Sequence, residues 1–560
     1  MKTKGTILKR EISGRYYYYH KYLDNGKQKN EIIQEDEAYQ LAFKINFKGQ
    51  NYDEFMDHKF NLEVSFGKTL ALLGAPYRSF KKRFCYLKIQ DYLDKPYAGR
   101  VLVLYGLRRT GKTTLMFQTI NDLSFKDFAA AAYIKCDNKN TIYQLFDDLK
   151  YLTANGFKYI FIDEVTLLED FVALSSTISD IYGLMAKVVL SGTDSLGFEI
   201  ASHHELYDRN IFIHTTYISF KEFYSVLGIK SIDKYIEYGG TMSMEGIDYN
   251  KTILNNGKQI NEYVDSSIIH NIIHSLKNVD NGRYFFNLYD LYEKRELENV
   301  INRIVEDSNH RFVISIIEQD FKSHDYGSLK QLLSTPKNYE RFHNVLDKVD
   351  ESKLVSDLMN ALNLINKEKQ THKVDDSVLK ELEDYLYKLD VIDYVNELLI
   401  PSYTQRKRII FTQPGLRYSQ AKILLDILFD DPSLKQYDFS LIMAIKEKLL
   451  SDVKGKMIED MTIYETSLVN KDTFKIYFGT SGEYDMVSLD YQKLTSTIYE
   501  IKYSNSVDEN QYKYLADKDL NTLFEKTYFP IKKRIVLYRG ENKNIDNIEY
   551  QNIEDYLISQ

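Results

Sequence analysis

The chain begins with segments in which apolar and polar residues alternate, and this alternation predicts a β-hairpin. Residues 14–20, which include four consecutive tyrosines, and the residues around Ile32 have the two-residue period of strands. They flank Asp24-Asn25-Gly26-Lys27, a turn sequence typical of two-residue hairpins. We therefore predict a small β unit within residues 1–60. Its tyrosines could stack on nucleic-acid bases, although a strand that packs tyrosines on alternate faces is the simpler interpretation.

From residue 75 the pattern changes to short apolar segments that alternate with helical periodicity. The predicted strands are 101–105, 130–135, 159–163, 187–191 and 211–214. This alternation is typical of a parallel sheet covered by helices, so we predict an α/β domain at residues 75–240. Residues 241–440 are predicted to be mostly helical, because glycine and proline are rare and apolar residues recur at helical spacing. Residues 441–560 return to a mixed pattern, which makes the predicted fold class multidomain α/β.

Composition restricts the class of protein. A chain of 560 residues is too long for a single core, and its formal net charge of -8 means that any nucleic-acid contact needs a local basic patch. Cys85 and Cys136 are the two cysteines, which excludes a cysteine zinc site and indicates a reducing compartment. The N terminus has no apolar signal segment, and no apolar run approaches the roughly 18 residues of a spanning helix. We therefore expect a cytoplasmic protein without membrane contact.

A phosphate-binding loop is predicted directly after the strand 101–105. Residues 106–113 read Gly-Leu-Arg-Arg-Thr-Gly-Lys-Thr, which is the Walker A pattern, and a helix follows. In this order the backbone N–H groups of the loop and the positive end of the helix face the β- and γ-phosphates of ATP. Lys112 is expected to contact those phosphates, and the Thr113 hydroxyl to ligate Mg²⁺. The predicted nucleotide-binding residues of this loop are Gly106, Leu107, Arg108, Arg109, Thr110, Gly111, Lys112, Thr113 and Thr114.

A Walker B element is predicted where the strand 159–163 ends in two carboxylates. Asp163 is expected to hold the hydration shell of Mg²⁺, and Glu164 to orient and polarise the attacking water. The alternative is a strand that merely ends in solvated acids. The next strand ends in Ser191-Gly-Thr193, where either hydroxyl could sense the γ-phosphate or form a plain turn. Arg209 is the candidate arginine finger, a residue whose role depends on geometry that the sequence does not show.

These motifs resemble those of a known family. The Walker A and Ile-Asp-Glu segments, Ser191-Gly-Thr193, Ile218-Ser-Phe-Lys-Glu-Phe223 and Gly239-Gly240 are similar to segments of bacterial and archaeal AAA-type ATPases that carry a C-terminal restriction-endonuclease-like domain of unknown function. The segment 411–417, Phe-Thr-Gln-Pro-Gly-Leu-Arg, resembles that family's Asp-Pro-Gly-Leu-Arg, with Gln413 in place of the acid. The resemblance covers residues 75–540 and implies an AAA-type core, a winged-helix middle domain and a nuclease-like C-terminal domain.

Two departures from the family pattern affect the ATP site. Tyr207-Asp208-Arg209 replaces the usual Gly-Arg, and Thr216-Tyr217 replaces a Pro-Leu. Both departures weaken the assignment of Arg209 as the finger.

Two predicted strands near the C terminus carry a residue set typical of a PD-(D/E)XK nuclease centre. Asp485 lies on the first strand, and Glu500 and Lys502 lie two residues apart on the next, so that their side chains project from one face. Asp485 and Glu500 would bind Mg²⁺, and Lys502 would orient or activate water. Glu459, on the preceding helix, matches the acid that related nucleases supply from their first helix. Alternation on a solvated surface is the competing interpretation.

A basic segment in the predicted middle domain is the candidate DNA contact. Residues 378–392 have helical spacing, and the basic strand 403–411 follows them, an order that resembles the recognition helix and wing of a winged-helix unit. Arg406, Lys407 and Arg408 would then contact phosphates, although a charge run is more often a solvated face.

The expected function is an ATP-hydrolysing switch whose nucleotide state repositions the winged helix and the nuclease-like domain. ATP and Mg²⁺ are the expected ligands, and DNA is the expected partner of the basic patch. One alternative is a non-nucleolytic signalling ATPase whose terminal domain only binds a protein partner or a second copy of the chain. Another is a DNA-binding regulator with little ATP turnover.

Overall fold

A computed structural model of the protein describes residues 4–13, 15–96, 99–168, 171–193, 209–240, 376–479 and 481–560, with short helical pieces between 285 and 361. The chain divides into two compact units, Met1–Tyr217 with Ser267–Phe286 and Ile218–Ser266 with Asn287–Gln560. Of the region 241–440 that is predicted to be mostly helical, most of residues 241–375 lie outside the described residues, as do Tyr207 and Asp208. The domain boundaries at residues 60, 75, 240 and 440 stay predictions.

The elements are numbered in chain order. The strands are β1 (Thr6–Ile12), β2 (Arg15–Asp24), β3 (Lys27–Ile33), β4 (Glu63–Phe66), β5 (Val101–Tyr105), β6 (Ala131–Lys135), β7 (Tyr159–Asp163), β8 (Lys187–Gly192), β9 (Asn210–His214), β10 (Ile392–Leu399), β11 (Thr404–Phe411), β12 (Thr473–Tyr477), β13 (Glu483–Asp490), β14 (Thr495–Ile501), β15 (Ile531–Tyr538), β16 (Lys543–Ile545) and β17 (Ile548–Asn552). The α-helices are α1 (Glu35–Asn46), α2 (Tyr52–Asp57), α3 (Gly67–Gly74), α4 (Tyr86–Asp94), α5 (Lys112–Asp122), α6 (Phe125–Phe128), α7 (Ile142–Ala154), α8 (Phe171–Thr177), α9 (Gly183–Met185), α10 (Phe220–Leu227), α11 (Ile232–Tyr238), α12 (Phe286–Glu293), α13 (Asp376–Lys388), α14 (Pro414–Phe429), α15 (Phe439–Val469), α16 (Lys513–Ala516), α17 (Lys518–Glu525) and α18 (Ile553–Ser559).

The N-terminal residues form the predicted hairpin and add a third strand. β1, β2 and β3 make an antiparallel sheet, and Asn25 and Gly26 adopt the left-handed backbone that a two-residue turn requires. Tyr18 and Ile33 pack with Tyr39 of α1 into a hydrophobic cluster that also includes residues of α5 and of the larger sheet. The N-terminal sheet is therefore part of the first unit.

The first unit is built on a six-stranded sheet in the order β4-β6-β7-β8-β5-β9. β5 to β9 are parallel, and β4 joins the edge in the antiparallel direction. The strands predicted from the sequence are present within one residue of their expected ends. Residues 101–104 are fully buried, as expected for a parallel strand with helices on both faces. Because β5 lies between β8 and β9, the residues that end these three strands meet at one edge.

The second unit contains an eight-stranded sheet in the order β11-β10-β12-β13-β14-β15-β17-β16. The basic strand predicted at 403–411 forms the antiparallel hairpin β10–β11, and β10 pairs in parallel with β12. The hairpin that resembled a wing is therefore the edge of the same sheet that contains Asp485 and Glu500. Sequence alternation predicted the hairpin but could not show which distant strand it would join.

Across the described residues, none of the helices combines the length and the apolar composition that a membrane crossing needs.

Candidate functional site

The backbone of the phosphate-binding loop follows from its glycines. Gly106 has φ +139°, and a Cβ there would lie 2.7 Å from the hydroxyl oxygens of both Thr215 and Thr216. Gly111, which precedes α5, is left-handed with φ +89°. Only glycine combines this backbone with such a close approach. The tight turn expected of a Walker A loop is therefore present at residues 106–111.

The side chain of Lys112 lies against the phosphate-binding loop. Its Nζ donates hydrogen bonds of 2.8 Å to the carbonyl oxygens of Gly106 and Leu107, and the residue is only 5% exposed. Burial lowers the pKa of Lys112, while Glu164 and Asp163 act in the opposite direction. A buried ammonium group with carbonyl partners favours an anionic ligand, which would replace the hydration that burial removes.

Asp163 is the most connected residue at this edge of the sheet. Its Oδ2 accepts hydrogen bonds of 2.8 Å from the Thr113 hydroxyl and from the phenol of Tyr133, and its Oδ1 accepts one from Ser191. The structure therefore brings Thr113 and Asp163 together, as the Mg²⁺ prediction requires. The hydroxyl and the carboxylate are both oxygen ligands suited to Mg²⁺.

Glu164 follows Asp163 in an uncommon backbone conformation. Its φ is +56°, which is rare for a residue other than glycine and recurs at functional sites. Its N–H donates to Ser191 Oγ at 3.3 Å, and its Oε2 accepts from Thr193 Oγ1 at 3.4 Å. The predicted water-orienting residue and the predicted phosphate sensor Thr193 are therefore neighbours.

The remaining residues predicted for the ATP site differ in their placement. Arg108 and Arg109 are exposed on the loop, and Thr110 is buried within it. Arg209 lies just before β9, at the end of the strands opposite the loop, because Asn210 pairs with Val101. Its Nε is 3.0 Å from Asp180. The structure does not bring Arg209 to the phosphate-binding loop of its own chain.

Arg83 is a residue of this site that the sequence did not indicate. Its guanidinium donates to the carbonyl oxygens of Thr110 at 2.6 Å, Thr215 at 2.7 Å and Tyr217 at 3.0 Å. Thr216 Oγ1 also accepts a 3.0 Å hydrogen bond from the N–H of Leu107. These contacts fasten the phosphate-binding loop to the segment that follows β9.

In the second unit, the segment Gly239-Gly240 contacts residues 413–415. The Gln413 side chain donates to the carbonyl oxygen of Gly240 at 2.9 Å, and the Gly415 N–H donates to that of Gly239 at 3.0 Å. The amide of Gln413 donates to a carbonyl oxygen here, which an ionised acid could not do. A glutamine at position 413 is therefore compatible with this contact.

The residues predicted for a nuclease centre also converge. Lys502 Nζ lies 2.5 Å from Glu500 Oε2 and 3.3 Å from Asp485 Oδ2. Asp485 Oδ2 also accepts the Ile501 N–H at 2.9 Å. Burial alone would raise the pKa of Asp485, but Lys502 and Lys475 hold it below its usual range. Burial and the charge of Asp485 raise the pKa of Glu500 well above its usual range.

Lys475 occupies the middle of this group and was not predicted. It is 1% exposed, and its Nζ lies 2.7 Å from Glu459, 3.1 Å from Glu483 and 3.3 Å from Asp485. Burial alone would lower the pKa of Lys475, but Glu459, Asp485 and Glu483 raise it. We call Glu459, Lys475, Glu483, Asp485, Glu500 and Lys502 the acid–base cluster.

Arg408 contacts the acid–base cluster and is not free to contact DNA phosphates. Its Nε lies 2.6 Å from Glu397, its Nη2 lies 3.7 Å from Glu459, and its Nη1 pairs with Asp460. Arg406 and Lys407, its neighbours on β11, are exposed. The prediction that all three residues form a phosphate-binding wing is therefore wrong for Arg408, because the pairing of β10 with β12 turns this side chain towards α15.

Within the part of the chain that the structure describes, no group of three or more His, Cys, Asp or Glu side chains is arranged to hold a metal ion. The carboxylates of Glu459, Asp485 and Glu500 are balanced by lysines instead. Glu500 Oε1 is buried without a hydrogen-bond partner. The three residues predicted as metal ligands are thus close together, but their role as ligands stays a prediction.

Residues 98–224 match the family model described as an AAA domain. Because of this similarity, we refer to residues 98–224 as the AAA domain. An uncharacterized protein of Methanocaldococcus jannaschii is 26% identical over an alignment of 215 residues, and the match covers 34% of this chain and 46% of that protein. The chain therefore spans under half the length of this curated relative.

Solved structures also have a weak likeness to the chain. A Walker-type ATPase of Pyrococcus abyssi has a TM-score of 0.26 and 13% identity, with 61% of this chain and 95% of that chain covered. The Aeropyrum pernix ORC1 protein in complex with DNA has a TM-score of 0.22 and 13% identity, with coverage of 64% and 96%. Because these TM-scores are so low, the two structures support no conclusion about the function of this chain.

Sequence reasoning missed Arg83 and Tyr133 of the first unit and Lys475 of the second unit. Tyr133 and Lys475 lie on strands where alternation alone allows either face, and Arg83 lies outside every recognisable motif. The one sequence signal for Lys475 was its position between two apolar residues of β12, Phe474 and Ile476.

Proposed function

We propose that the chain is an ATP-hydrolysing switch driven by its AAA domain. The observation that carries this proposal is the direct contact between Thr113 and Asp163 at 2.8 Å, with Glu164 held beside them by Thr193. A hydroxyl after the Walker lysine and a carboxylate at the end of β7, a parallel strand of the same sheet, are the donor pair that Mg²⁺ needs next to a nucleotide.

Each residue has a distinct role in the proposed hydrolysis. Loop N–H groups and Lys112 would hold the β- and γ-phosphates, and Thr113 and Asp163 would hold Mg²⁺. Bound Mg²⁺ would neutralise charge on the phosphates. Glu164 would accept a proton from the attacking water as its oxygen approaches the γ-phosphorus. The left-handed backbone of Glu164 and its contact with Thr193 would keep its carboxylate at the end of β7.

Two substitutions separate ATP binding from hydrolysis. Lys112→Ala should abolish ATP binding in calorimetry, because it removes the cation that neutralises phosphate charge. Glu164→Gln should keep binding and lose most turnover, because the amide keeps the shape without the base. Lys150→Ala, which changes an exposed lysine on α7, is the control and should alter neither quantity. Unchanged affinity in Lys112→Ala, or equal turnover in Glu164→Gln, would contradict the proposal.

We further propose that the second unit acts on nucleic acid through a nuclease-like centre. Support comes from the convergence of Asp485, Glu500 and Lys502 within 3.3 Å. Asp485 and Glu500 would hold a divalent ion, and Lys502 would orient the attacking water. Arg406 and Lys407, exposed on the adjacent hairpin, would contact the phosphate backbone.

A second candidate function is favoured by Lys475. Its ammonium group already neutralises Glu459, Glu483 and Asp485 from a buried position, which is the role a metal ion would have. In that case the unit would be a binding module, and the chain would be a signalling ATPase that cuts no nucleic acid.

Metal titration and cleavage assays distinguish the two candidates. In the nuclease candidate the parent binds Mn²⁺ and cuts DNA or RNA, Asp485→Asn loses both properties, and Lys502→Ala loses cutting while it keeps much of the binding. Asp490→Asn changes a carboxylate at the far end of the same strand and is the matched control. If the parent shows no Mn²⁺ site, the binding-module candidate is correct. A chain that binds DNA but shows almost no ATP turnover would instead be a regulator.

A further inference from the structure

The N-terminal sheet has two faces of different chemistry. Ile7, Tyr18, His20, Tyr22 and Ile33 are its buried residues, and strand register places all of them on one face. Ile7 and Tyr18 pack in the same cluster as Tyr39 and Ala42 of α1. We call this side the inner face. The residues that alternate with these along each strand project from the opposite side, which we call the outer face.

The two faces also differ in charge, because the inner-face register carries both carboxylates and lysines whereas the outer-face register carries cations. Asp24 and Glu31 have inner-face register, and they pair with Lys29 at 2.5 Å and with the Tyr22 hydroxyl at 3.3 Å. Arg10, Arg15 and Lys21 have outer-face register. Among the strand residues whose side chains the structure describes, no carboxylate lies on the outer face. This cationic face belongs to a chain whose formal net charge is -8.

The neutral residues of the outer face are also suited to nucleic acid. Tyr17 and Tyr19 lie between the cations, and the guanidinium of Arg10 is 5.7 Å from the ring centre of Tyr19. Gln28 and Asn30 are exposed on β3 and offer amide groups that can both donate and accept. Arginine, lysine, asparagine, glutamine and tyrosine are the residue types that contact phosphates and base edges in DNA.

The dimensions fit a duplex. Three strands at their usual spacing are about 10 Å across, compared with about 12 Å for the major groove of B-DNA. Arg15 and Lys21 are separated by a length of β2 of about 20 Å, which is close to the rise of six base pairs. The A-form major groove of RNA is too deep and narrow for such a face.

We propose that the outer face of the N-terminal sheet binds duplex DNA, with Arg10, Arg15 and Lys21 on phosphates. The charge complementarity between this face and the DNA backbone carries the proposal. It depends on neither the ATPase nor the nuclease proposal, because none of its residues belongs to either site.

The test measures the binding of the full chain to a 20-base-pair DNA duplex, without ATP or divalent ions, over a series of salt concentrations. The face variant Arg10→Gln/Arg15→Gln/Lys21→Gln should bind at least tenfold more weakly. The slope of log affinity against log salt should flatten by about 2.7, which is 0.9 for each of three lost phosphate contacts. The control variant Lys9→Gln/Lys27→Gln/Lys29→Gln removes the same charge from the inner-face register of the same sheet. It should keep the parent slope.

Three results would overturn the proposal. They are a parent chain that does not bind the duplex, an equal loss of slope in the control variant, and a loss that occurs only in Arg406→Gln/Lys407→Gln. The last result would assign DNA binding to the hairpin β10–β11 alone. ATP turnover should be unchanged in the face variant, and this measurement shows that the first unit is still folded.

Discussion

Substitution of Lys475 tests whether the acid–base cluster depends on an internal cation. Lys475→Met keeps the length of the side chain and removes its charge, which leaves Glu459, Glu483 and Asp485 without the ammonium group they surround. Removal of one partner from a buried ion pair costs about 3 to 5 kcal/mol, because the remaining charge stays buried without compensation. Since Lys475 is 1% exposed, solvent screening does not reduce this cost.

Hydrogen exchange with mass spectrometry measures this cost locally, which suits a chain with two units. Amides of β12 and β13 should exchange about a hundredfold faster or more in Lys475→Met, the kinetic equivalent of about 3 kcal/mol in opening free energy. Lys493→Met is the control. Its lysine is paired with Asp490 at 3.1 Å, but its side chain is 79% exposed, so a change of about 0 to 1 kcal/mol is expected.

Divalent ions provide a second measurement on the same variant. If Lys475 neutralises the cluster in place of a metal, Mn²⁺ should bind Lys475→Met and slow its exchange, and Asp485→Asn in the same background should abolish the effect. Exchange in Lys475→Met that matches that of the control would refute the reasoning. It would mean that the three carboxylates are stabilised by other groups and that the buried lysine contributes little.

The remaining predictions concern the first unit. Arg83→Gln should raise the KM for ATP at least tenfold. Three carbonyl oxygens would lose charged hydrogen bonds worth about 1.5 to 3 kcal/mol each. An unchanged KM in steady-state kinetics would contradict this prediction. Tyr133→Phe should reduce the gain in ATP affinity that Mg²⁺ provides, because the Tyr133 hydroxyl orients Asp163. ATP affinity without Mg²⁺ should not change. Calorimetry with and without Mg²⁺ separates the two effects. Burial, with Arg83 and Lys112 nearby, lowers the pKa of His214 from 6.5 to about 4. The unfolded chain therefore takes up this proton first as the pH falls, so stability is complete above pH 6.5 and decreases towards pH 4. Thermal midpoints measured over this range should depend less on pH in His214→Phe, and equal dependence would count against the buried neutral histidine.

The sequence by itself determined the local elements of the AAA domain. Strand periodicity, the glycine-rich loop and the acids after β7 are each encoded within a few consecutive residues, and the structure has them where they were predicted. The contact between Thr113 and Asp163 was also predictable, because the carboxyl ends of all the parallel strands of a sheet lie at the same edge, even though β8 separates β5 from β7. In the second unit, the two-residue spacing of Glu500 and Lys502 correctly indicated that their side chains would be neighbours.

Tertiary structure decided which side chains became buried partners. The pairing of β10 with β12 joins residues that are distant in sequence, and this pairing turned Arg408 inward to Glu397 and Asp460. The same sheet placed Lys475 among carboxylates, although a lysine in an alternating strand is more often solvated. Alternation specifies that a strand has two faces, but only packing against another element decides which face is covered. For the N-terminal sheet, packing with α1 covered Tyr18 on one face and left Arg10 and Arg15 on the other face exposed.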